Sequence, residues 1–494
     1  MRVKVSRILR FVIAAIAFIT VGAYIFSGVP HPYFDTISLV WIIAIAFAVY
    51  AFSGNFSTRY PEVMIITVSC ILYVLFRLNV LMFFPESLLH NYFITPKIIN
   101  DSLSFIFIGT VACYFGFAFG CGGIPSYRTD VRIGHFTGNR VMRFLVALSA
   151  IVFLLSTTQF YSIGWQPSGP KSNLNIFTRY VSVFLDPTSV ALLFFIVFSL
   201  TDKSRTTIRL LILQVCFLTL GPLLLGSRGG MFFYLIAWLA VKLVLHGDFH
   251  IKVNLRGLVI AALILSALVA AFYVSTIFRT FRYSEINWEA IYDVFSDSAT
   301  VAAVFETALK DISYRVSAIE AVNFTISNRE LSLIDVSDIV NVKSTIINTI
   351  ERIIPGRQFD NVIFSEFAYG YMLRPEGVFS VLEDGQEDPV GYEWNMFGIS
   401  YQLFGVAGVV FIFLFTALIA RLIRKSSSMN GLYGLAWSAL FSWLLLAWTQ
   451  NLGLDNLFGR TFLIFISLTL LVSVVKVWFP KFGIPKFHES RAVG

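Results

Sequence analysis

The sequence predicts an all-α polytopic membrane protein of about twelve transmembrane helices. Three observations predict it. Of 494 residues, 57% are hydrophobic and only 13% charged, about half the charged fraction of an ordinary soluble domain, and the mean hydropathy is +0.77. Apolar runs of about 20 residues recur along most of the chain, each able as a helix to cross about 30 Å of hydrocarbon. Lysine and arginine concentrate on alternate connecting segments, as the positive-inside rule requires.

The spans fall near residues 9–27, 37–53, 62–84, 102–121, 141–163, 180–200, 208–225, 230–245, 257–277, 397–420, 432–450 and 460–479. The first follows the basic segment MRVKVSRILR and resembles a secretory signal. Its apolar part is long, however, and no A-x-A site precedes Pro30, so it reads as a retained helix. The sixth is interrupted by Asp186-Pro187. That pair suits the start of a shorter helix, with Asp as N-cap and Pro in the first position. With the N-terminus inside, the inner segments hold 22 Lys and Arg and the short outer ones hold 5. Both termini are then expected in the cytoplasm.

The chain divides into three regions: helices one to nine over 1–277, a large outer (periplasmic) loop over 278–396, and helices ten to twelve with a tail over 397–494. The loop carries 19 of the 29 acidic residues and 9 basic ones, giving it a formal charge of −10 within a chain of +8. The positive excess therefore belongs to membrane anchoring, and no nucleic-acid partner is expected. A segment this long rarely lacks structure of its own. Residues 286–326 have helical apolar spacing, so a small, mainly helical cap over the outer mouth is expected.

Several chemistries lack their residues. There is no GxxxxGK[ST] for ATP, no D-x-D in the inner loops, and no HExxH or CxxC for zinc. Cys70, Cys113, Cys121 and Cys216 all lie in or beside apolar runs and read as small core residues without a disulfide framework. None of the six histidines lies within 278–396, so no histidine base is available on the large loop.

Cations near the outer surface are the strongest candidates. LLLGSRGGMFFY at 223–234 sets Arg228 in a glycine-flanked turn between spans seven and eight. There the backbone can approach a bound group, the guanidinium offers a fixed fork of donors, and the next helix adds its free N–H groups. The bland alternative is an arginine reaching for headgroups. Arg77 in YVLFRLNV lies about two turns inside the membrane, where a charge must face protein, water or ligand; a structural ion pair is the alternative. Arg279 and Arg282 in FRTFRY are three apart, and serve either a site or surface anchoring. Arg315, Arg352, Arg357 and Arg374 are further cations that would hold phosphates if gathered at one lip, or else sit in solvent. Glu366, Glu376 and Glu393 stand beside aromatic residues that could raise a carboxyl pKa for base chemistry. Trp394 offers a face on which a sugar could stack, and solvated loop carboxylates are the competing interpretation.

The combination resembles the Wzy-type oligosaccharide repeat-unit (O-antigen) polymerases of the O-antigen polymerase and ligase superfamily, multispan glycosyltransferases of the GT-C kind. The resemblance is carried by LLLGSRGGMFFY, by one long outer loop before the last spans, and by EWNMFGISYQLFGVAGVVF at 393–411. It implies transfer of a growing glycan from undecaprenyl pyrophosphate to the terminal sugar of an incoming lipid-linked unit on the outer face. It implies that the membrane is the inner (cytoplasmic) membrane of a bacterium. It also implies arginines on the pyrophosphates, Arg228 in the GSR role, no metal or other cofactor, and a chain-length regulator and flippase as partners. The resemblance makes Arg228 catalytic; location and chemistry, not the resemblance, add Arg279, Arg282 and Glu366 as catalytic candidates, and Arg77, Arg315, Arg352, Arg357, Arg374, Glu393 and Trp394 as candidates for binding pyrophosphate or glycan. Three alternatives compete: an O-antigen ligase, which would want a histidine in the large loop; a transporter or flippase; and a GT-C enzyme using polyprenyl phosphate-sugar, for which Asp35 in HPYFDT is available.

Overall fold

A computed structural model describes residues 2–26, 31–60, 62–83, 95–122, 127–128, 133–163, 186–224, 228–247, 250–252, 319–331, 341–353, 379–381, 387–389, 395–429, 431–449, 454–480 and 488–489, with six single positions between 259 and 296. Helices dominate these residues. In chain order they are α1 (Val5–Phe26), α2 (Thr36–Arg59), α3 (Val63–Cys70), α4 (Arg77–Phe83), α5 (Pro96–Cys121), α6 (His135–Ile163), α7 (Pro187–Leu200), α8 (Arg205–Leu224) and α9 (Arg228–His246). After these come α10 (Ile319–Leu331), α11 (Val342–Ile353), α12 (Met396–Phe404), α13 (Gly408–Ser427), α14 (Leu432–Thr449) and α15 (Leu454–Trp478).

Among the described residues, seven helices are long and apolar enough to cross a membrane, and three shorter apolar helices accompany them. The chain is an all-α polytopic membrane protein. Helices stand at the positions expected for spans one to eight and ten to twelve, while 257–277 lies almost wholly outside the described residues. The surface fits a lipid solvent. On α1, Phe11, Phe18 and Phe26 are each at least 75% exposed, a cost in water but none in hydrocarbon.

Local chemistry sets the helix ends. Asp186 caps α7, its carboxylate accepting from the Thr188 N–H at 2.8 Å and the Ser189 N–H at 3.2 Å, with Pro187 in the first turn. Thr95 caps α5 in the same way ahead of Pro96, and Asn395 caps α12 by accepting from the Gly398 N–H at 2.8 Å. Span ten is not continuous. A 3₁₀ turn at Gly405–Ala407 separates α12 from α13, and Gly405 sits at φ 60°, a conformation that suits glycine.

The innermost helix is α14, which packs against α3, α7, α9, α13 and α15 and buries Trp443 and Trp448. The most extensive helix pair is α5 with α13. Short antiparallel pairs link connecting segments: Arg2–Lys4 with His250–Lys252, and Tyr127–Arg128 with His488–Glu489. Ile133 also bridges to Thr201. These are all segments that the charge count assigns to one side.

Span three departs from regular geometry. Residues Ile71–Phe76, between α3 and α4, form a π-helical stretch, which turns α4 about its axis relative to a continuous α-helix. Buried ion pairs fasten the span at its start and within its second half. Glu62, just before α3, accepts from Arg424 of α13 at 2.9 Å, with the Arg424 guanidinium 5.7 Å from the Tyr60 ring. Further along, at the first residue of α4, Arg77 meets Glu320.

Among the described residues of the large loop, one helix, α10, is packed into the bundle. This helix comes from the large loop, yet Ile319, Glu320, Ala321, Val322, Asn323, Thr325, Ile326 and Ser327 are all buried, and it packs against α5 and α12. It is inserted among the membrane helices because its small and apolar residues match their surfaces: a Cβ added at Gly398 would lie 3.0 Å from the Ala321 Cβ. Helix α11 behaves differently. It lies along α15, buries Asn348, and exposes Val342, Ile346 and Ile350, spaced one turn apart. A β-hairpin, Phe379–Val381 with Glu387–Pro389, is also part of this segment. One cysteine departs from expectation as well. Cys70, Cys113 and Cys121 are buried but Cys216 is exposed, and all four are free.

Candidate functional site

Arg77 is the first residue of α4, placed by the π-helical stretch, and its side chain is fully buried. A cation at this depth must have an anion. Glu320 of α10 provides it. The Arg77 Nε donates to Glu320 Oε1 at 2.7 Å, and Nη2 donates to the same oxygen. The two residues are 243 positions apart, so the pair joins span three to the large outer loop. On α10 the residues three and seven positions beyond Glu320 share its face. They are Asn323 and Ser327, 1% and 2% exposed. Among the described residues, neither side-chain atom of Asn323 has a hydrogen-bond partner, nor does the Ser327 hydroxyl.

A second polar group joins α7, α9, α14 and α15. The Arg460 guanidinium lies 5.9 Å from the centre of the Trp443 ring. The Tyr234 hydroxyl is within electrostatic reach of both Asp186 and Arg460. The Ser189 hydroxyl donates to the Ile464 carbonyl at 3.1 Å, holding the start of α7 against α15. Tyr234 is carried by the helix that Arg228 opens, so Arg228 starts a helix whose free N–H groups and positive dipole end favour an anion.

Of the residues singled out from the sequence, Arg77 is thus fully placed. Arg228 and Arg352 are placed by backbone only, at the first position of α9 and near the end of α11. Arg279, Arg282, Arg315, Arg357, Arg374, Glu366, Glu376, Glu393 and Trp394 lie outside the described residues. Sequence reasoning missed Glu320, Asn323 and Arg460. A signal for Glu320 was present: in AIEAV a carboxylate is flanked along the chain by two apolar residues on each side.

Asp35 is committed elsewhere. Its carboxylate accepts from the Ser38 N–H at 2.8 Å and from the Asn100 amide at 3.0 Å. Burial pushes its carboxyl up, but these hydrogen bonds outweigh burial and hold it below its ordinary value of 3.8. Such a group is a poor base. Asp35→Ala should cost about 1 kcal/mol at neutral pH, as loss of a helix cap does. Because the carboxyl is lowered on folding, its contribution is present above the ordinary value and disappears as pH falls through the lowered one. The gap in thermal stability between variant and wild type should therefore narrow as pH falls below the ordinary carboxylate value, and a gap of the same size at neutral and strongly acidic pH would refute this.

Compared with protein-family models, with curated proteins and with solved structures, the chain matches none. Its class therefore rests on fold and site alone: a polytopic helical membrane protein with a buried cation paired to a helix of its longest loop.

Proposed function

We propose that this chain polymerises lipid-linked oligosaccharide repeat units, a metal-independent GT-C-type glycosyltransferase with about twelve spans. It sits in a bacterial inner membrane with both termini cytoplasmic and its site facing the periplasm. The growing glycan passes from undecaprenyl pyrophosphate to the terminal sugar of an incoming undecaprenyl-pyrophosphate-linked unit. An acceptor hydroxyl oxygen bonds to the anomeric carbon and the bond from that carbon to pyrophosphate breaks. The hydroxyl proton goes to a base, for which Glu366 is the candidate, and undecaprenyl pyrophosphate leaves with the electron pair. Fixed guanidinium groups on the diphosphate favour that departure because its charge grows as the bond breaks. Arg228 is the foremost of them, with Arg279 and Arg282 beside it in the scheme. Partners are the lipid-linked substrates, the surrounding lipid, a flippase and a chain-length regulator.

The observation that supports this proposal is the backbone position of Arg228 as the first residue of α9, since the N-terminal end of a helix favours an anion. The commitment of Asp35 to a helix cap counts against the polyprenyl phosphate-sugar alternative.

The test is Arg228→Ala and Arg228→Lys in the native strain, with surface polysaccharide resolved on a gel. The expected result is single repeat units on the acceptor for Ala, and a weak ladder for Lys, which keeps charge but not the fork. The drop for Ala should be about 100-fold or more, as for loss of one charge-stabilising donor. Polymer stranded on carrier lipid would instead indicate a ligase, and loss of all outer glycan a flippase. A wild-type ladder from Arg228→Ala would remove the assignment.

A further inference from the structure

Three independent features converge where the large loop enters the bundle. A buried ion pair, Arg77 with Glu320, ties helix α10 to span three. The same face of α10 buries Asn323 and Ser327, whose side-chain atoms have no hydrogen-bond partner among the described residues, so the seated helix leaves polar groups that water or a ligand would satisfy. The cation stands immediately after a π-helical stretch, Ile71–Phe76, a distortion that costs backbone regularity and is frequent at functional sites.

We propose that the Arg77–Glu320 pair is an exchangeable latch: the diphosphate of the lipid-linked donor takes the place of the Glu320 carboxylate on Arg77, and α10 leaves its seat. The identity of the anion rests on the polymerase proposal above. In the free protein Glu320 holds the position of the diphosphate. Withdrawing the Glu320 carboxylate from a buried guanidinium without replacing it is disfavoured, which holds α10 in place until another anion arrives. A diphosphate is the stronger competitor because it brings more charge and more acceptor oxygens to the same fork of donors. The unsatisfied carboxamide of Asn323 lowers the cost of unseating, since both its atoms gain partners in water. Arrival of the donor thereby opens the interior beside α5 and α12 to the glycan it carries. Donor binding and opening of the acceptor path become one event, with the shift in population set by the difference in affinity of the two anions.

The packing supplies the lock that tests this. Ala321 of α10 and Gly398 of α12 adjoin, 3.0 Å between the Ala321 Cβ and a Cβ built on Gly398. A small adjustment brings that to disulfide range. The full chain carrying Ala321→Cys and Gly398→Cys, with the exposed Cys216 changed to Ser, should form polysaccharide ladders when reduced and lose them when oxidised, with recovery on adding thiol. Ladders unchanged by complete cross-linking would overturn the proposal.

A second measurement does not require the double variant to fold. Ser327→Cys, again with Cys216→Ser, places a near-isosteric thiol on the seated face. In nanodiscs its labelling by a polar maleimide should quicken about tenfold on adding undecaprenyl diphosphate, as α10 shifts out of its seat. Adding undecaprenyl monophosphate should have much less effect. A rate that ignores saturating diphosphate lipid would sink the latch even if the protein polymerises. A response in a protein that forms no polymer would leave the latch standing and remove the polymerase proposal instead.

Discussion

Glu320→Ala is expected to destabilise the protein by about 3–5 kcal/mol, the loss typical when one member of a buried ion pair is removed. The cause is the arginine left behind: Arg77 is fully buried and cannot shed its charge. Purified protein should lose monodispersity on heating at a clearly lower temperature than wild type. Glu320→Gln should fall between, since it keeps the shape and a carbonyl acceptor but not the charge. Arg77→Met combined with Glu320→Leu should recover most of the loss, because replacing both charges with apolar groups of similar size removes the desolvation cost on each side. If Glu320→Ala were as heat-resistant as wild type, or the double change as damaging as the single one, the pair would not be holding α10 in place.

The second large effect concerns α5. Gly116 and Gly120 lie one turn apart, and a Cβ at either would collide with backbone of α13, at Phe413 and Ala417 respectively. Small residues at this spacing let two membrane helices approach closely, where packing rather than water drives association. Gly120→Val should abolish recovery of folded protein, because the obstacle is main chain and cannot rotate away. Gly120→Ala should cost about 1–3 kcal/mol, as overpacking does. Gly22 is the control. It also sits in a membrane helix, but a Cβ there meets nothing within 4 Å, so Gly22→Ala should be neutral or slightly stabilising. Equal effects at Gly22 and Gly120 would show that helix propensity, not the close approach, governs both.

The parts of this structure legible from sequence are those set by local chemistry. Hydropathy located the helices because every backbone group in hydrocarbon must be paired within its own segment. Asp186-Pro187 announced a helix start because an N-cap and a fixed φ act within a few residues. Arg77 stood out because a charge within an apolar run demands an explanation. What the sequence hid depends on neighbours far along the chain. Glu320 gains meaning only when α10 is placed beside span three. The glycines of α5 look ordinary until α13 is laid across them. Cys216 was expected in the core because apolar residues go inside in water, but a bilayer accepts them on the outside as well. The burial of α10 was illegible for a related reason. A short helix with two glutamates, two asparagines, a serine and an arginine reads as a surface element, and the pairing of Glu320 with Arg77 favours its insertion. The roles assigned to Arg279, Arg282, Arg315, Arg357, Arg374, Glu366, Glu393 and Trp394 remain those the sequence proposed.

The burial of α10 has a consequence for how the 278–396 segment can be handled. Val342, Ile346 and Ile350 of α11 point away from the protein, and α10 conceals its residues only within the bundle. Cut free of its spans, the segment would turn to water the α10 side chains that α5 and α12 now cover. Antibodies, ligand screens and crystals raised against an excised fragment would then address an α10 surface that the intact molecule conceals.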